Sequence, residues 1–396
     1  MITSDLQNSM MKWRHDIHRQ PELGFEETVT AAKVAGLLSG WGIETHEGIG
    51  GTGVVGVLRR GDGDRMIGLR ADMDALQITE QNTFEHRSQV DGKMHACGHD
   101  GHTAMLLGAA HYLASKGEFN GTAVFIFQPA EEHGKGAKAM IADGLFERFP
   151  VQDVYAIHNF PSVPKGQFIA VPGPTMASED NFEIVVKGIG HHAAMPHRGV
   201  DPIVVASQIV LGLQTIVSRN INPSQGGVIS VTEVITDGTV NVVPTTVTLR
   251  GDTRSFTADV QSLIESGIRR VAEGLCAASG IECDVRYERV FDATINSAAE
   301  TAIAAHVAEL VVGAENVSHE FEAPMTSEDF AFMLQEKPGC YLLLGNDGDG
   351  PGGCGLHNPS YDFNDEILTT GADFWVRLVE SELNDHSQER LQPRLR

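Results

Sequence analysis

The nine residues from Met94 to His102, MHACGHDGH, carry one thiol and three imidazoles directly before an apolar run typical of a helix. Cysteine and histidine side chains bind borderline divalent metals such as zinc or manganese. Cys97 and His99 are two residues apart, so an extended loop would let both point at one ion. An isolated Cys-x-His pair is more often a buried thiol beside a capping histidine. The adjacent His95, Asp100 and His102 favour metal binding instead, although the pattern leaves open which cysteine or histidine positions bind.

Two adjacent carboxylates follow a second apolar stretch. Glu131 and Glu132 come after FIFQPA, where Pro-Ala indicates a tight exit from a buried strand. Adjacent glutamates are usually a solvated pair, but here one could bind a metal while the other takes a proton from the metal's water. His158 and His357 also follow short apolar runs, and that position makes a functional role about as plausible as a structural one. Together these residues outline a metal-dependent hydrolase.

Several runs that are apolar at nearly every position predict strands covered on both faces, as in an α/β sheet. The predicted strands are Gly53–Leu58, Met66–Ala71, Ala123–Phe127, Val154–Ile157 and Tyr341–Leu344, and Thr103–Ser115 is predicted to be a buried helix. Sites in open α/β sheets form beyond the carboxyl ends of strands. Asp72 and Asp74, the two glutamates and His158 each follow one of these strands. The sequence therefore predicts that they converge on one crevice.

The pattern changes from Asn181 onward. Strand-like and helix-like segments alternate as β-α-β-β-α-β over about 110 residues, the arrangement of a ferredoxin-like sandwich. We therefore predict a catalytic metal-binding domain over residues 1–179 and 293–396, with an inserted α+β domain over 180–292. The inserted segment contains GHHAAMPH, whose His191, His192 and His197 could form a surface turn. Alternatively, one of them could donate to a developing oxyanion from a domain that closes over the substrate.

The composition limits the class of protein. A chain of 396 residues exceeds what one hydrophobic core usually organises. The net charge of -24 argues against nucleic acid or an anionic membrane as partner. No apolar run reaches the roughly twenty residues of a transmembrane helix, and the N-terminus lacks a signal-peptide pattern. The five scattered cysteines are a poor disulfide framework, so a cytoplasmic protein is expected. The polar stretch from Ser381 to Arg396 is expected to be a solvated tail.

Ordered motifs along nearly the whole chain carry a family resemblance. They are RHDIHRQPELGFEE, GLRADMDAL, MHACGHDGHTAMLLGAA, FQPAEEHGKGAKAMI, HNFP, GHHAAMPH, NVVP, GDTRSF, PMTSEDF and LHNPSYDFND. The chain resembles the amidohydrolase branch of the aminoacylase and carboxypeptidase G metallopeptidase family, which includes hippurate hydrolases and plant auxin-conjugate hydrolases. The resemblance implies a mixed, largely parallel sheet covered by helices, with a ferredoxin-like lid and dimerisation domain inserted into it.

The resemblance also implies roles for particular residues. Two divalent ions (manganese, zinc, cobalt or nickel) would be bound by Cys97, His99, Glu132, His158 and His357. Glu131 matches the general base, Asp72 matches the aspartate that orients a ligand histidine, and His192 matches the lid histidine that reaches the scissile carbonyl. Asn241 and Arg254 match positions that hold the substrate's carbonyl or carboxylate. His191 replaces a common glycine, which leaves open whether His191 or His192 is the lid donor.

These observations predict hydrolysis of an N-acyl amino acid, a small molecule, to a carboxylic acid and a free amino acid. The inserted domain would join the chain into a homodimer or larger homo-oligomer. One alternative is a metal-dependent dipeptidase, which would need a site for a free α-amino group instead of an apolar acyl pocket. Another is a non-catalytic metal-binding member, which would be expected to lack the base or a ligand. The acyl group, the amino acid and the native metal are left open.

Overall fold

The computed structural model describes residues 2–347 and 353–384 of the chain. The chain divides into two compact units. The large unit comprises Met1–Gly173, Ile295–Glu322 and Phe332–Arg396, and the inserted unit comprises Pro174–Thr294 and Ala323–Ala331. The inserted unit thus takes a short segment from the range 293–396, which the sequence had assigned to the catalytic domain.

The strands and helices follow the predicted apolar runs. The strands are β1 Glu44–Ile49, β2 Gly53–Arg60, β3 Met66–Asp72, β4 Gly121–Gln128, β5 Asp153–Pro164, β6 Phe168–Ile169, β7 Gly173–Met176, β8 Ser178–Lys187, β9 His191–His192, β10 Gly227–Thr236, β11 Val242–Val243, β12 Thr246–Ser255, β13 Glu282–Phe291, β14 Thr294–Asn296, β15 Val317–Ser318 and β16 Gly339–Asp347. The helices are α1 Ser4–Arg19, α2 Thr28–Gly40, α3 His99–Lys116, α4 Gly136–Ala142, α5 Leu145–Arg148, α6 Pro202–Arg219, α7 Ala258–Ala278, α8 Ala298–Val312, α9 Phe330–Glu336 and α10 Leu368–Asn384. All five strands predicted from apolar runs are present, and the helix predicted over Thr103–Ser115 lies within α3.

The large unit is organised by a mixed sheet. Its strand order is β1-β2-β4-β3-β5-β16-β6-β15, with parallel pairing among β4, β3, β5 and β16 and between β6 and β15. Every residue of β4 is buried, as expected for a strand covered on both faces. The predicted mixed, largely parallel sheet is therefore confirmed. Because β3 and β4 are parallel, the residues that follow Asp72 and Gln128 leave the sheet at the same edge.

The strand that carries His158 is longer than its apolar run predicted. Its pairing with β16 continues from His158, opposite Leu343, to Phe160, opposite Gly345. The strand was predicted to end at Ile157, and that prediction is wrong. The neighbouring strand still supplies hydrogen-bonding partners after the apolar residues stop. His158 therefore lies within a strand, where its backbone is fixed on both sides of the side chain.

Helix α3 is the central helix of the large unit. It is buried at thirteen positions and packs against α1 and α10. A β-carbon placed on Gly101, in its first turn, would lie 2.3 Å from the ring of Phe363. Only glycine therefore allows the start of α3 to approach the segment that precedes α10 so closely.

The inserted unit has the predicted β-α-β-β-α-β order. Its sheet, β10-β12-β8-β13, is antiparallel throughout, and α6 and α7 supply apolar side chains to the core that covers it. The side chain of Asp201 caps α6 by accepting the backbone N–H of Ile203 at 2.8 Å, and Pro202 occupies the first turn of the helix. The fold-class prediction of an inserted α+β domain is confirmed.

Helices α6 and α10 concern the expectations of no transmembrane helix and of a solvated C-terminal tail. Within the described part of the chain, α6 is the one helix that could cross a membrane by length and composition alone. Core helices of soluble proteins meet the same criteria, and here Val205, Ile209 and Leu213 are buried in the core of the inserted unit. Residues 381–384 of the polar C-terminal stretch belong to α10, and the rest of that stretch lies outside the described residues.

Candidate metal centre

The Cys-x-His pair depends on the glycine between its two members. Gly98 has φ +94°, and a β-carbon there would lie 2.2 Å from the amide nitrogen of Asn159. Glycine is therefore required both by the backbone conformation and by this close approach. The turn places the Cys97 thiol and the His99 imidazole near His158, with one ligand atom of each residue within 4.8 Å of the other two. Cys97 Sγ lies 3.4 Å from His158 Nε2.

One ring nitrogen of His99 is fixed by a hydrogen bond, and the other is left to face the two glutamates. Its Nδ1–H donates to the backbone carbonyl of Asp74 at 2.9 Å. Its Nε2 is buried, has no hydrogen-bond partner, and lies 3.9 Å from Glu132 Oε1 and 4.0 Å from Glu131 Oε2. Glu132 Oε1 is likewise buried without a hydrogen-bond partner. Two such atoms facing each other mark a place where a cation would satisfy both.

His158 is also prepared as a neutral ligand. Its Nδ1–H donates to the backbone carbonyl of Asn159 at 2.6 Å, which directs the Nε2 lone pair towards the thiol of Cys97. Burial and the neighbouring His102 hold the pKa of His158 well below its usual value. Metal-bound histidines commonly have this arrangement, in which the second nitrogen is fixed by a carbonyl.

The two adjacent glutamates lie on a short 3-10 turn after β4. Ala130 enters this turn with φ +49°, and its N–H donates to Glu27 Oε1 at 2.8 Å. The N–H of Glu132 donates to Asp74 Oδ2 at 3.0 Å. These bonds fix the tight exit that Pro-Ala predicted, and Glu131 is 6% exposed. The turn thus brings both carboxylates to the unpartnered nitrogen of His99.

His357 approaches the same cluster from the C-terminal part of the chain. Its backbone has φ +62°, and its N–H donates to the carbonyl of Ala96 at 2.8 Å. Its Nε2 lies 3.5 Å from Glu132 Oε2, and its side chain is 53% exposed. Ligand atoms of Cys97, Glu132 and His357 lie within 4.8 Å of one another. This second donor group shares Cys97 with the group that contains His99 and His158.

The donor set fits divalent metal ions. Thiol, imidazole and carboxylate donors suit zinc, manganese, cobalt and nickel to different degrees. Burial alone would lower the pKa of His99, but the charges of Asp72, Asp74 and Glu132 raise it to about 10. That shift reflects a negative potential at His99 Nε2, which favours a cation there. Two overlapping donor groups that share one thiol can accommodate a pair of adjacent ions.

The sequence placed Asp74 and His102 near this cluster but did not predict their supporting contacts. Asp72, expected to orient a ligand histidine, accepts from Nδ1 of His102 at 2.6 Å, and it is Asp74 that holds His99. The other nitrogen of His102 accepts the backbone N–H of Asn159 at 2.9 Å, so His102 has no lone pair left for a metal. The repeated spacing of Asp72 and Asp74 was the available signal for Asp74.

A buried arginine supports the same aspartate. Arg70 Nη1 donates to Asp72 Oδ2 at 2.7 Å. Burial alone would raise the pKa of Asp72, but His99, His102 and Arg70 hold it well below its usual value. Asp72 is therefore an ionised carboxylate that fixes His102 and contributes negative charge to the cluster.

The remaining predicted site residues belong to the inserted unit. His192, on β9, pairs in register with Val242 of β11, and Asn241 accepts the backbone N–H of Ala193 at 3.0 Å through its carbonyl. His192 and Asn241 therefore share one small two-stranded ladder. The Nδ1 of exposed His192 accepts the N–H of Ala194 at 3.0 Å, whereas His191 donates through Nδ1 to the carbonyl of Ile189 at 3.0 Å.

Arg254 lies on β12 and is heavily engaged within the inserted unit. Its Nε donates to the carboxylate of Asp252 at 2.9 Å, and its Nη1 lies 2.8 Å from Glu179 Oε2. The same Nη1 donates to Ser327 Oγ at 2.9 Å. Arg254 is therefore already neutralised by two carboxylates of its own unit.

The mixed α/β fold and this cluster of thiol, imidazole and carboxylate donors define the class of metal-dependent hydrolases. A family model for peptidase family M20/M25/M40 matches residues 68–381. The chain is 42% identical over 375 residues to a hippurate hydrolase from Campylobacter jejuni, covering 95% of this chain and 97% of that protein. It is 36% identical to an N-acetylcysteine deacetylase from Bacillus subtilis, covering 93% of this chain and 96% of that protein. The chain belongs to peptidase family M20/M25/M40, as its motifs predicted.

A solved structure agrees with this assignment. The YXEP protein of Bacillus subtilis, a dinuclear metal binding peptidase from the M20 family, superposes with a TM-score of 0.84 at 32% identity. The similarity covers 96% of this chain and 99% of that one. The fold is therefore shared over essentially the whole of both chains.

Proposed function

We propose that this protein is a dinuclear metal-dependent amidohydrolase that cleaves N-acyl amino acids to a carboxylic acid and a free amino acid. The observation that carries the proposal is the pair of donor groups around Cys97, with Glu131 beside them. The similarity to a hippurate hydrolase and to an N-acetylcysteine deacetylase, each over more than nine-tenths of the chain, supports the substrate class.

In this proposal Cys97, His99, Glu132, His158 and His357 hold the two divalent ions. When bound, such ions polarise a carbonyl and lower the pKa of a coordinated water. Glu131 is left as the general base, which takes a proton from the attacking water and later delivers a proton to the leaving nitrogen. The nearly complete burial of Glu131 supports this role, since a water-poor surrounding keeps the proton between base and substrate.

The inserted unit would supply the substrate contacts. Exposed His192 has its Nε2 directed away from the bond that its Nδ1 makes, so it can donate to the oxyanion. The Nδ1 of His191 donates to a backbone carbonyl, so in a neutral His191 the other nitrogen carries no hydrogen. His192 is therefore the better candidate for the donor. Asn241 and Arg254 would hold the substrate's carbonyl or carboxylate. Arg254 would do so through Nη2, because its Nε and Nη1 contact Asp252 and Glu179.

We also propose a homodimer or larger homo-oligomer formed through the inserted unit. Strand β10 is an edge strand, and Val234 and Ile235 on it are 62% and 46% exposed. On α6, which packs beside β10, Leu211 is 72% exposed. An unpaired edge with neighbouring exposed apolar side chains is a typical surface for pairing with a second copy. We further propose a cytoplasmic location, because five scattered cysteines are a poor disulfide framework.

A substrate panel tests the proposal. The metal-free protein is reconstituted separately with manganese, zinc, cobalt and nickel, and release of free amine is followed with benzoyl-, acetyl- and indolyl-acetyl-amino acids. Dipeptides with a free α-amino group form the comparison set. Turnover of acyl-amino acids in preference to dipeptides is expected. Preference for dipeptides would favour a dipeptidase, and a metal-loaded protein inert to the whole panel would contradict an enzymatic role.

A further inference from the structure

Arg14 on α1 is a fully buried cation whose partners lie far away in the sequence. Its Nη1 donates to Asp100 Oδ2 at 3.2 Å and to Asp362 Oδ1 at 3.0 Å. Its Nε donates to Asp365 Oδ1 at 2.5 Å. One guanidinium therefore joins three carboxylates from two other parts of the large unit, and it contacts none of the predicted metal ligands.

Those carboxylates belong to the two segments that carry ligands. Asp100 follows His99 in the first turn of α3. Asp362 and Asp365 lie in residues 353–367, here called the His357 segment, which is the stretch between the undescribed residues and α10. Arg14 thus ties the start of α3 to the segment that presents His357.

The surrounding contacts are directed at the same junction. His18, one turn after Arg14, contacts Asp100 through Nδ1 at 2.9 Å and Glu80 through Nε2 at 3.2 Å. In the His357 segment, the hydroxyl of Tyr361 donates to the amide oxygen of Asn159 at 2.6 Å. The amide nitrogen of that asparagine donates to the carbonyl of Cys97 at 2.6 Å. The His357 segment is therefore connected to the Cys-x-His turn by polar contacts on both sides.

We propose that Arg14 is a positioning residue for the metal centre: it fixes the His357 segment against the start of α3 so that His357 and Glu132 can bind one of the two ions. This inference rests on the proposed function, because it presumes that the Cys97 cluster binds metal. A planar guanidinium donates hydrogen bonds to the three carboxylates in fixed directions. The ammonium of a lysine, on a flexible stem, does not fix these directions.

The two donor groups should depend on Arg14 to different degrees. His158 is held within β5, and His99 is held by Asp74, so the donor group Cys97–His99–His158 has its own supports. The side chain of His357 is more than half exposed, and two aspartates of its segment are held by hydrogen bonds from Arg14. Loss of Arg14 should therefore weaken the ion bound through His357 more than the other ion.

The test is a titration of the metal-free protein with Co²⁺, followed by calorimetry and by visible absorption of the bound ion. The variants are Arg14→Lys and, as a matched control, Arg65→Lys. Arg65 is a partly buried arginine of the large unit, with 30% of its side chain exposed, that bridges two carboxylates, Asp153 and Glu382, and it contacts no predicted ligand. We expect the wild type to bind two ions, and Arg14→Lys to bind one of them, the ion contacted by His357, about 10–100-fold less tightly. Arg65→Lys should bind both ions as the wild type does.

The outcomes separate this inference from the proposed function. If the wild type binds two ions and Arg14→Lys binds both with unchanged affinity, the positioning role is refuted and the metal centre stands. If Arg65→Lys loses affinity equally, the effect is a general loss of stability and the inference is also refuted. A wild type that binds no ions refutes the proposed function itself. If Arg14→Lys does not fold, Asp365→Asn decides, because it leaves both buried pairs of Arg14 intact and should weaken the same ion.

Discussion

Replacing Glu131 by glutamine isolates the role of one carboxylate oxygen. The substitution preserves the size of a side chain that is only 6% exposed, and it leaves the neighbouring proposed ligand Glu132 in place. The amide cannot accept a proton from the attacking water at neutral pH. Glu131 lies next to the donor cluster, with its Oε2 4.0 Å from His99 Nε2, so the change acts where the proton must be removed.

The size of the effect follows from what a positioned base contributes. General base catalysis is worth about 10²–10⁴ in rate, which corresponds to roughly 3–5 kcal/mol of activation free energy. We therefore expect kcat of Glu131→Gln to fall by about that factor under saturating metal. KM should change little, because the lost interaction belongs to the transition state.

The assay compares adjacent glutamates. Amine release from the best acyl-amino acid is measured for Glu131→Gln and Glu132→Gln, and metal content is determined on the same samples. Glu131→Gln should keep two ions per chain and lose turnover, whereas Glu132→Gln should lose metal because it removes a ligand oxygen. Near-normal turnover of Glu131→Gln with full metal content would refute its role as the base.

Three further outcomes are expected. Burial lowers the pKa of His18, but Asp100 and Glu80 raise it to about 9. The stabilisation of the fold by the charged imidazole is therefore fully present below pH 6.5 and is lost as the pH rises through 9. The melting temperature of the metal-free protein should fall over that range by the equivalent of up to about 3 kcal/mol, and an equal fall in His18→Gln would contradict this. Chelation should lower the melting temperature, since ligand at about 100 times Kd contributes about 3 kcal/mol per site, and an unchanged melting temperature would count against bound metal. The double variant Leu211→Asp, Val234→Asp should sediment as a monomer while Leu310→Asp, in the large unit, keeps the wild-type mass; a monomeric wild type would contradict the proposed interface.

The sequence predicted the parts of the fold that local patterns determine. Fully apolar runs such as AVFIF indicated β4, and the alternation of strand-like and helix-like segments from Asn181 onward indicated the order of the inserted unit. The end of β5 could not be predicted, because it depends on how far β16 continues to pair with it. Strand ends are set by a partner that is distant in sequence, and the apolar pattern of one strand does not contain that information.

The candidate site divides in the same way. The ligand types were predicted from short motifs, and the family resemblance implied which residues are the ligands and the base. The supporting contacts were missed, because their partners are far apart: Arg14 and Asp365 are separated by 351 residues. His102 was considered as a possible ligand, and only its hydrogen bonds to Asp72 and Asn159 assign it to support. A histidine's tautomer is set by both of its neighbours, which a sequence does not reveal.

Anomalous diffraction from crystals of the protein grown with Mn²⁺ tests the central claim most directly. Two peaks are expected in the Cys97 cluster, one contacted by Cys97, His99 and His158, the other by Cys97, Glu132 and His357. No peak in the cluster, or a single ion bound by other side chains, would contradict the account.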